Sequence, residues 1–291
     1  MLRKIVLSGA LTVVALSTFA LCVAQNGPKV IHEKQSKFGL IVVTEDEAGL
    51  RTLQFGRDGV RQSVVKPGDP DHVELPYARS MFSGLALCPE PKRILIIGLG
   101  GGTIPSFLHK HYPAATIDVV EIDPEVIDTA QRFFGLPVDA RLRAHAADGR
   151  KFVEEAKEPY DLVFLDAYSS DSIPYHLATK EFLEAVQRVT APGGAVLGNV
   201  WSRHSNPLYD SMVRTYQEVF PELYVLDVAG AGNRILMAPI APRRLNRDQF
   251  ARRAAAISSG QKFRFDLGEL VSYGYHFVEE KNIDGRVLRD R

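Results

Sequence analysis

Ile94-Leu-Ile-Ile-Gly98-Leu-Gly100-Gly101-Gly102-Thr103, followed by Asp118-Val-Val-Glu121-Ile-Asp123, decides the fold of this 291-residue chain. An apolar run, a glycine turn, a helical segment and a second apolar run ending in an acid make one strand–helix–strand unit. Glycines accept the backbone of a tight turn and let N–H groups come close to a ligand. The helix that follows brings the positive end of its dipole to the same place. Glu121 lies 19 positions beyond Gly102, near the roughly 20-residue spacing at which an acid meets a ribose hydroxyl. The stretch predicts a site for an adenine nucleoside.

The same alternation continues downstream. Strands are expected at Arg93–Leu99, Thr116–Glu121, Leu142–Ala146, Leu162–Leu165 and Ala195–Val200. Helices are expected between them at Thr103–His111, Pro124–Phe134, Gly149–Ala156 and Thr179–Val189. Pro124 suits a helix start, where its missing N–H costs nothing, and Pro192-Gly-Gly194 reads as the turn before the fifth strand. Leu223–Val228 and Arg234–Met237 flank Gly230–Gly232 and suit a hairpin at the sheet edge. The expected class is therefore α/β, with a doubly wound, mostly parallel sheet of seven strands. Upstream, Leu40–Thr44, Arg51–Phe55 and Val60–Ser63 are separated by the turns Glu45–Gly49 and Gly56–Gly59. They predict a small antiparallel β unit, closed by Pro67-Gly-Asp-Pro70. Leu75–Cys88 then reads as a helix with Tyr77, Met81 and Leu85 on one face. The expected organisation is a signal or anchor over 1–24, a β domain over 25–74, a catalytic α/β domain over 75–240, and an extension over 241–291 without a readable motif.

Composition sets outer bounds. Lys plus Arg and Asp plus Glu both number 35, so no global field points to nucleic acid or an anionic membrane. Met1-Leu-Arg3-Lys4 is a short basic segment, and Ile5–Val23 is apolar and rich in small residues. With small side chains at Cys22-Val23-Ala24, this reads as a secretory signal. The run also matches the shortest membrane-spanning helices, so an uncleaved anchor is the alternative. Either way the folded domain is expected outside the cytoplasmic membrane, and membrane contact only if the segment is retained. Cys22 and Cys88 are the only cysteines, which gives a mature chain no internal disulfide. The histidines show no HExxH or Cys–His spacing, so no metal site is expected.

Ligands of such a sheet sit outside the carboxyl ends of its strands. The first strand ends in Gly98, Gly100 and Gly102, the second in Glu121, the third in Asp148-Gly149 and the fourth in Asp166. Three successive strand ends carrying acids, after a glycine turn, converge on one rim. Asp123 is better read as the cap of the helix starting at Pro124, and Asp148 also suits a cap. Tyr168, His176 and Trp201 fall near the same rim, and Tyr168 is the preferred acceptor-pocket residue.

From about Ile31 to Met237 the sequence resembles the spermidine synthase (polyamine aminopropyltransferase) family, whose class I methyltransferase-like fold follows a small β domain. The resemblance rests on an ordered series. Arg51-Thr-Leu-Gln-Phe, Gln62-Ser63 and the helix bearing Tyr77 come first, then Ile94–Gly102, Val120-Glu121-Ile-Asp123 and Ala147-Asp148-Gly149. Tyr160-Asp-Leu-Val-Phe-Leu-Asp166 and Ala191-Pro-Gly-Gly194 complete it. It implies that Gly98, Gly100, Gly102 and Gly149 shape the nucleoside site, that Glu121 binds ribose hydroxyls and that Asp148 binds the adenine amino group. Asp166 matches the first Asp of the family's catalytic loop, and a carboxylate there can orient an amine, take its proton and offset the charge of both substrates. Tyr77, Tyr168 and Asp171 are the expected substrate-binding residues. The co-substrate is expected to be decarboxylated S-adenosylmethionine or S-adenosylmethionine, with no permanently bound cofactor. The partner is a small-molecule amine, and a homodimer is left open.

The departures from the family pattern are specific. An acid that helps hold the donor's ammonium is replaced by Gly101. The loop Asp166-Ala-Tyr-Ser-Ser-Asp171-Ser-Ile-Pro174 displaces the second Asp by two residues. The usual Tyr-(His/Gln)-Glu is Tyr77-Ala-Arg79, and the later Tyr-Pro-Ser-Gly segment has no counterpart. The sequence thus favours aminopropyl transfer to a polyamine. It leaves two alternatives, a methyltransferase using intact S-adenosylmethionine and a non-catalytic exported binding protein for polyamines or nucleosides. A nicotinamide-dependent oxidoreductase fits less well, because Thr103 stands where its fingerprint needs Gly or Ala.

Overall fold

The computed structural model describes residues 27–169 and 172–291. The N-terminal signal or anchor expected over 1–24 and the candidate substrate residue Asp171 lie outside the described residues. Among the described residues no helix is long and apolar enough to cross a membrane.

Four strands, β1 (Lys29–Gln35), β2 (Leu40–Glu45), β3 (Arg51–Phe55) and β4 (Arg61–Val65), form an antiparallel sheet in sequence order. β1 escapes the sequence pattern because its polar residues are largely exposed and little apolar alternation marks it. Ile41, Val43 and Leu53 are at most 1% exposed and join the core of the following domain. Two further contacts fix the sheet to that domain. The Arg51 guanidinium donates to the Phe133 carbonyl, and His32 stacks on the Phe133 ring at 4.4 Å between centroids.

The expected helix over Leu75–Cys88 is shorter in the structure. Helix α1 (Pro76–Met81) gives way to a 3-10 turn over Phe82–Ala86. Gly84 within that turn presses on the next sheet so closely that a Cβ would lie 2.3 Å from a Leu197 methyl. Tight approach, rather than helical periodicity, governs this segment.

The main sheet follows with β5 (Arg93–Ile97), β6 (Thr116–Glu121), β7 (Leu142–Ala146), β8 (Tyr160–Leu165) and β9 (Thr190–Trp201), all parallel. Helices α2 (Thr103–His111), α3 (Pro124–Thr129), α4 (Gly149–Glu155) and α5 (Lys180–Arg188) connect them. Asp123 caps α3 by accepting the Glu125 N–H at 3.0 Å, as expected. The helix expected to reach Phe134 widens after Thr129 into a π turn over Ala130–Phe134. Pro192-Gly-Gly194 is not a turn before the fifth strand but an irregular stretch inside β9, where the register with β8 shifts between Tyr160 and Leu162. Turn-type residues serve as well in a bulge as in a turn.

After α6 (Tyr209–Val219), β10 (Tyr224–Asp227) and β11 (Asn233–Pro239) form the expected antiparallel hairpin. Helices α7 (Arg247–Gly260) and α8 (Leu267–Gly274) then lead to β12 (Tyr275–Phe277). The strand order is β12-β10-β11-β9-β8-β5-β6-β7, eight strands rather than seven. The added strand is three residues long, too short for a readable period, and it covers an otherwise unpaired edge of β10. The chain leaves β5 first toward β6 and later returns to β8 on its other side. This reversal places a crevice at the carboxyl ends of β5 and β8.

Candidate active site

A cavity of about 320 Å³ occupies that crevice. Its floor is made by the ends of β6, β5, β8 and β9 with the start of β11, and β4 contributes the cover. Gly98, Gly100, Glu121, Asp148, Gly149, Asp166, Tyr77 and Tyr168 all line it. Gly102 does not. It stands just before α2 at φ +80°, where a Cβ would lie 2.8 Å from a Leu136 methyl. Its role is to turn the chain into the helix.

The glycine loop is held from both sides. Gly98 has φ +99°, and a Cβ there would sit 2.4 Å from the carbonyl oxygen of Asp166. On the other side, the Gly101 N–H donates to Ser63 Oγ at 2.8 Å. A Cβ on Gly101 would meet Ser63 Cβ at 3.0 Å and the Phe134 ring at 3.1 Å. The position that carries an acid in the resembled family thus faces the covering sheet and an aromatic ring.

At one end of the cavity, Glu121 accepts the N–H of Leu99 through Oε2 and that of Asp123 through Oε1, both at 3.1 Å. Burial raises its carboxyl pKa, against the opposing pull of these two bonds. Ile122 beside it is apolar yet 45% exposed, which offers a platform for a flat base. Asp148 is both cap and cavity residue. Its Oδ1 accepts the Lys151 N–H at 3.0 Å, while Oδ2 faces His176 Nε2 at 3.1 Å. Burial opposes its ionisation, but these two partners together hold the carboxyl below its ordinary value. His176 lines the cavity as well.

Asp166 stands in the middle, one residue past β8. Asn199 Nδ2 donates to its Oδ1 at 2.8 Å and the Tyr77 hydroxyl to its Oδ2 at 3.3 Å. Asn233 Nδ2 in turn donates to Asn199 Oδ1 at 2.9 Å. Burial pushes the Asp166 carboxyl up to about 7, and the Asn199 and Tyr77 bonds limit the rise. A group titrating near neutrality in a cleft suits general-base work. Tyr168 donates its hydroxyl to the Asn199 carbonyl at 3.0 Å and meets Trp201 edge-on at 6.4 Å. Burial raises the Tyr77 and Tyr168 hydroxyls, so both remain protonated donors.

Asn199 and Asn233 are 3% and 5% exposed, and sequence reasoning did not single them out. A lone asparagine inside the apolar run Ala195–Trp201 was the available signal, since a buried amide needs partners. Asn199→Ala should move the acidic limb of the rate profile upward by about one pH unit, because the ionised carboxylate loses a donor. A kcat/KM profile between pH 5 and 9 reads the shift.

The family model of the spermine/spermidine synthase domain matches residues 76–227. The polyamine aminopropyltransferase of Vibrio vulnificus (strain CMCP6) is 34% identical over 91% of this chain and 89% of its own length. The human eEF1A lysine and N-terminal methyltransferase is 32% identical over 60% of this chain, which spans only 28% of that protein. The crystal structure of a probable spermidine synthase from Corynebacterium glutamicum shares the fold, with a TM-score of 0.71 at 21% identity, over 89% of this chain and 96% of that one. With the ordered acids on one rim and these relatives, the chain is a transferase and belongs to the spermine/spermidine synthase family.

Proposed function

We propose that the chain transfers an aminopropyl group from decarboxylated S-adenosylmethionine to a polyamine acceptor, with Asp166 as general base. The observation that carries this reading is the Asp166 carboxyl, raised to about 7 and aimed by Asn199 and Tyr77 in the centre of the cavity. An ammonium acceptor has no lone pair. Asp166 takes one of its protons, the freed nitrogen attacks the carbon next to sulfur, and the carbon–sulfur electron pair returns to sulfur as a neutral thioether. The nucleoside lies against Gly98–Gly100, Glu121, Ile122 and Asp148. Tyr77, Tyr168 and Trp201 give aromatic walls on which the cationic groups of both substrates rest. Holding nitrogen, carbon and sulfur in line supplies much of the remaining acceleration.

One observation favours methyl transfer from intact S-adenosylmethionine as the second reading. Arg61 is the only guanidinium or ammonium lining the cavity among the described residues. A guanidinium suits a donor carboxylate. Calorimetry with each donor separates the two. Aminopropyl transfer expects decarboxylated S-adenosylmethionine to bind more tightly, by about tenfold, with Arg61→Ala leaving or improving its affinity. Tighter binding of the intact donor, lost in Arg61→Ala, would sink the aminopropyl reading.

A further inference from the structure

The segment after β12 turns back across α6 and reaches the outer side of the nucleoside end of the cavity. Asn282 Nδ2 donates to Asp210 Oδ1 at 2.9 Å. Gly285 runs so near α6 that a Cβ would lie 2.1 Å from the Asp210 carbonyl oxygen. Leu288 is 1% exposed and buried in the core that holds Phe182. Its N–H donates to Thr215 Oγ1 at 2.9 Å. Its carbonyl accepts the Lys180 N–H at 2.8 Å, one of the donors that an α-helix leaves unpaired in its first turn.

The next three residues tie together two parts of the site. The Arg289 carbonyl accepts the Tyr175 hydroxyl at 3.1 Å, and the Arg291 guanidinium lies 4.6 Å over the Tyr175 ring. Asp290 takes both terminal nitrogens of Arg150, at 2.7 and 2.6 Å. Tyr175 sits between Pro174 and His176, which both line the cavity. Arg150 lies in the first turn of α4, two residues after Asp148. His176 and Asp148 are themselves joined at 3.1 Å. Residues 288–291 line no part of the cavity, yet they grip the neighbours of both members of that pair.

We propose that residues 288–291 form a strap of positioning residues for the nucleoside donor, setting the separation between the His176 segment and the start of α4. The inference rests on the nucleoside occupying the Glu121–Asp148 end, and not on which alkyl group is transferred. An exposed ion pair such as Arg150–Asp290 adds little to global stability. Its loss therefore acts on the geometry of the site rather than on the fold. Coupling is reciprocal, so a bound nucleoside also steadies the strap.

The test uses the full chain with Asp290→Ala, Arg150→Ala and Arg150→Lys. Calorimetry measures 5′-methylthioadenosine and S-adenosylhomocysteine, beside melting temperature and amide exchange over 286–291 with and without nucleoside. Asp290→Ala and Arg150→Ala should each weaken both nucleosides by at least about fivefold, with melting lowered by less than about 4 °C. Arg150→Lys should recover part of the affinity, and exchange over 286–291 should slow on binding. Unchanged affinity in Asp290→Ala, in a parent chain that binds, overturns the strap alone. So does an affinity loss of the same size in any variant matched for melting temperature. A parent chain that binds neither nucleoside overturns the functional reading itself.

Discussion

Asp166→Asn should lower kcat/KM by about 10²–10⁴-fold, the span over which a positioned general base contributes, while nucleoside binding persists. The amide keeps the shape of the carboxyl and can still accept from Asn199, but it cannot take a proton from an ammonium. The parent chain's rate should rise as pH increases through about 7, where the buried carboxyl ionises. Asp166→Asn should show no such limb. The same substitution carries a stability signature of the opposite sign. The folded pKa lies above the ordinary value of 3.8, so the folded state holds its proton more tightly than the unfolded chain. Its contribution is fully present below about pH 4 and is lost as pH rises through about 7. At pH 8 the ionised, buried Asp166 therefore costs on the order of a few kcal/mol. Asp166→Asn is expected to melt higher than the parent at pH 8 and near it at pH 4. A variant with near-parental kcat/KM at pH 8 would remove Asp166 from the chemistry.

Gly98→Ala should cost more than any other single methyl added to the loop. Its φ of +99° is itself unfavourable for an L side chain, at about 1–3 kcal/mol. The new Cβ would also lie 2.4, 2.6 and 2.8 Å from Asp166 O, Asp166 C and Ala167 N. All three are backbone atoms, so no rotamer relieves the contact. The loop and the end of β8 must separate, and Asp166 moves with them. Gly135→Ala is the control, with φ +71° and no atom within 4 Å of the added carbon. It should show the strain alone. Gly98→Ala should lower melting by several degrees more than Gly135→Ala and reduce kcat/KM by about 100-fold or more, as misplacement of reacting groups does. Equal melting and near-parental activity in the two variants would mean that the loop and β8 are not in contact in solution.

The features readable from sequence share a local origin. The extent of β6, β7 and α2, the cap Asp123 and the acids at successive strand ends follow from apolar periods, turn residues and helix signals within a few positions. The errors came where a distant surface overruled a local pattern. Gly84 against Leu197 shortened a helix, and the register shift opposite Tyr160–Leu162 absorbed a turn into β9. β12 was invisible for another reason: three residues cannot display a period, and its place depends on the open edge of β10.

The site divides in the same way. Residue order along the chain was enough to set a glycine turn and the carboxylates of Glu121, Asp148 and Asp166 around one crevice, because strand alternation fixes which ends share a rim. It could not supply the amide support of Asp166, which joins Asn199 to Asn233 across 34 positions, or the bridge from Arg150 to Asp290 across 140. Nor could it show that Gly101 faces Ser63 and Phe134, or that Asp166 titrates near 7. Those properties belong to three-dimensional neighbours: the pKa of a carboxyl depends on the water taken from it and the donors left around it, and only the folded chain sets either.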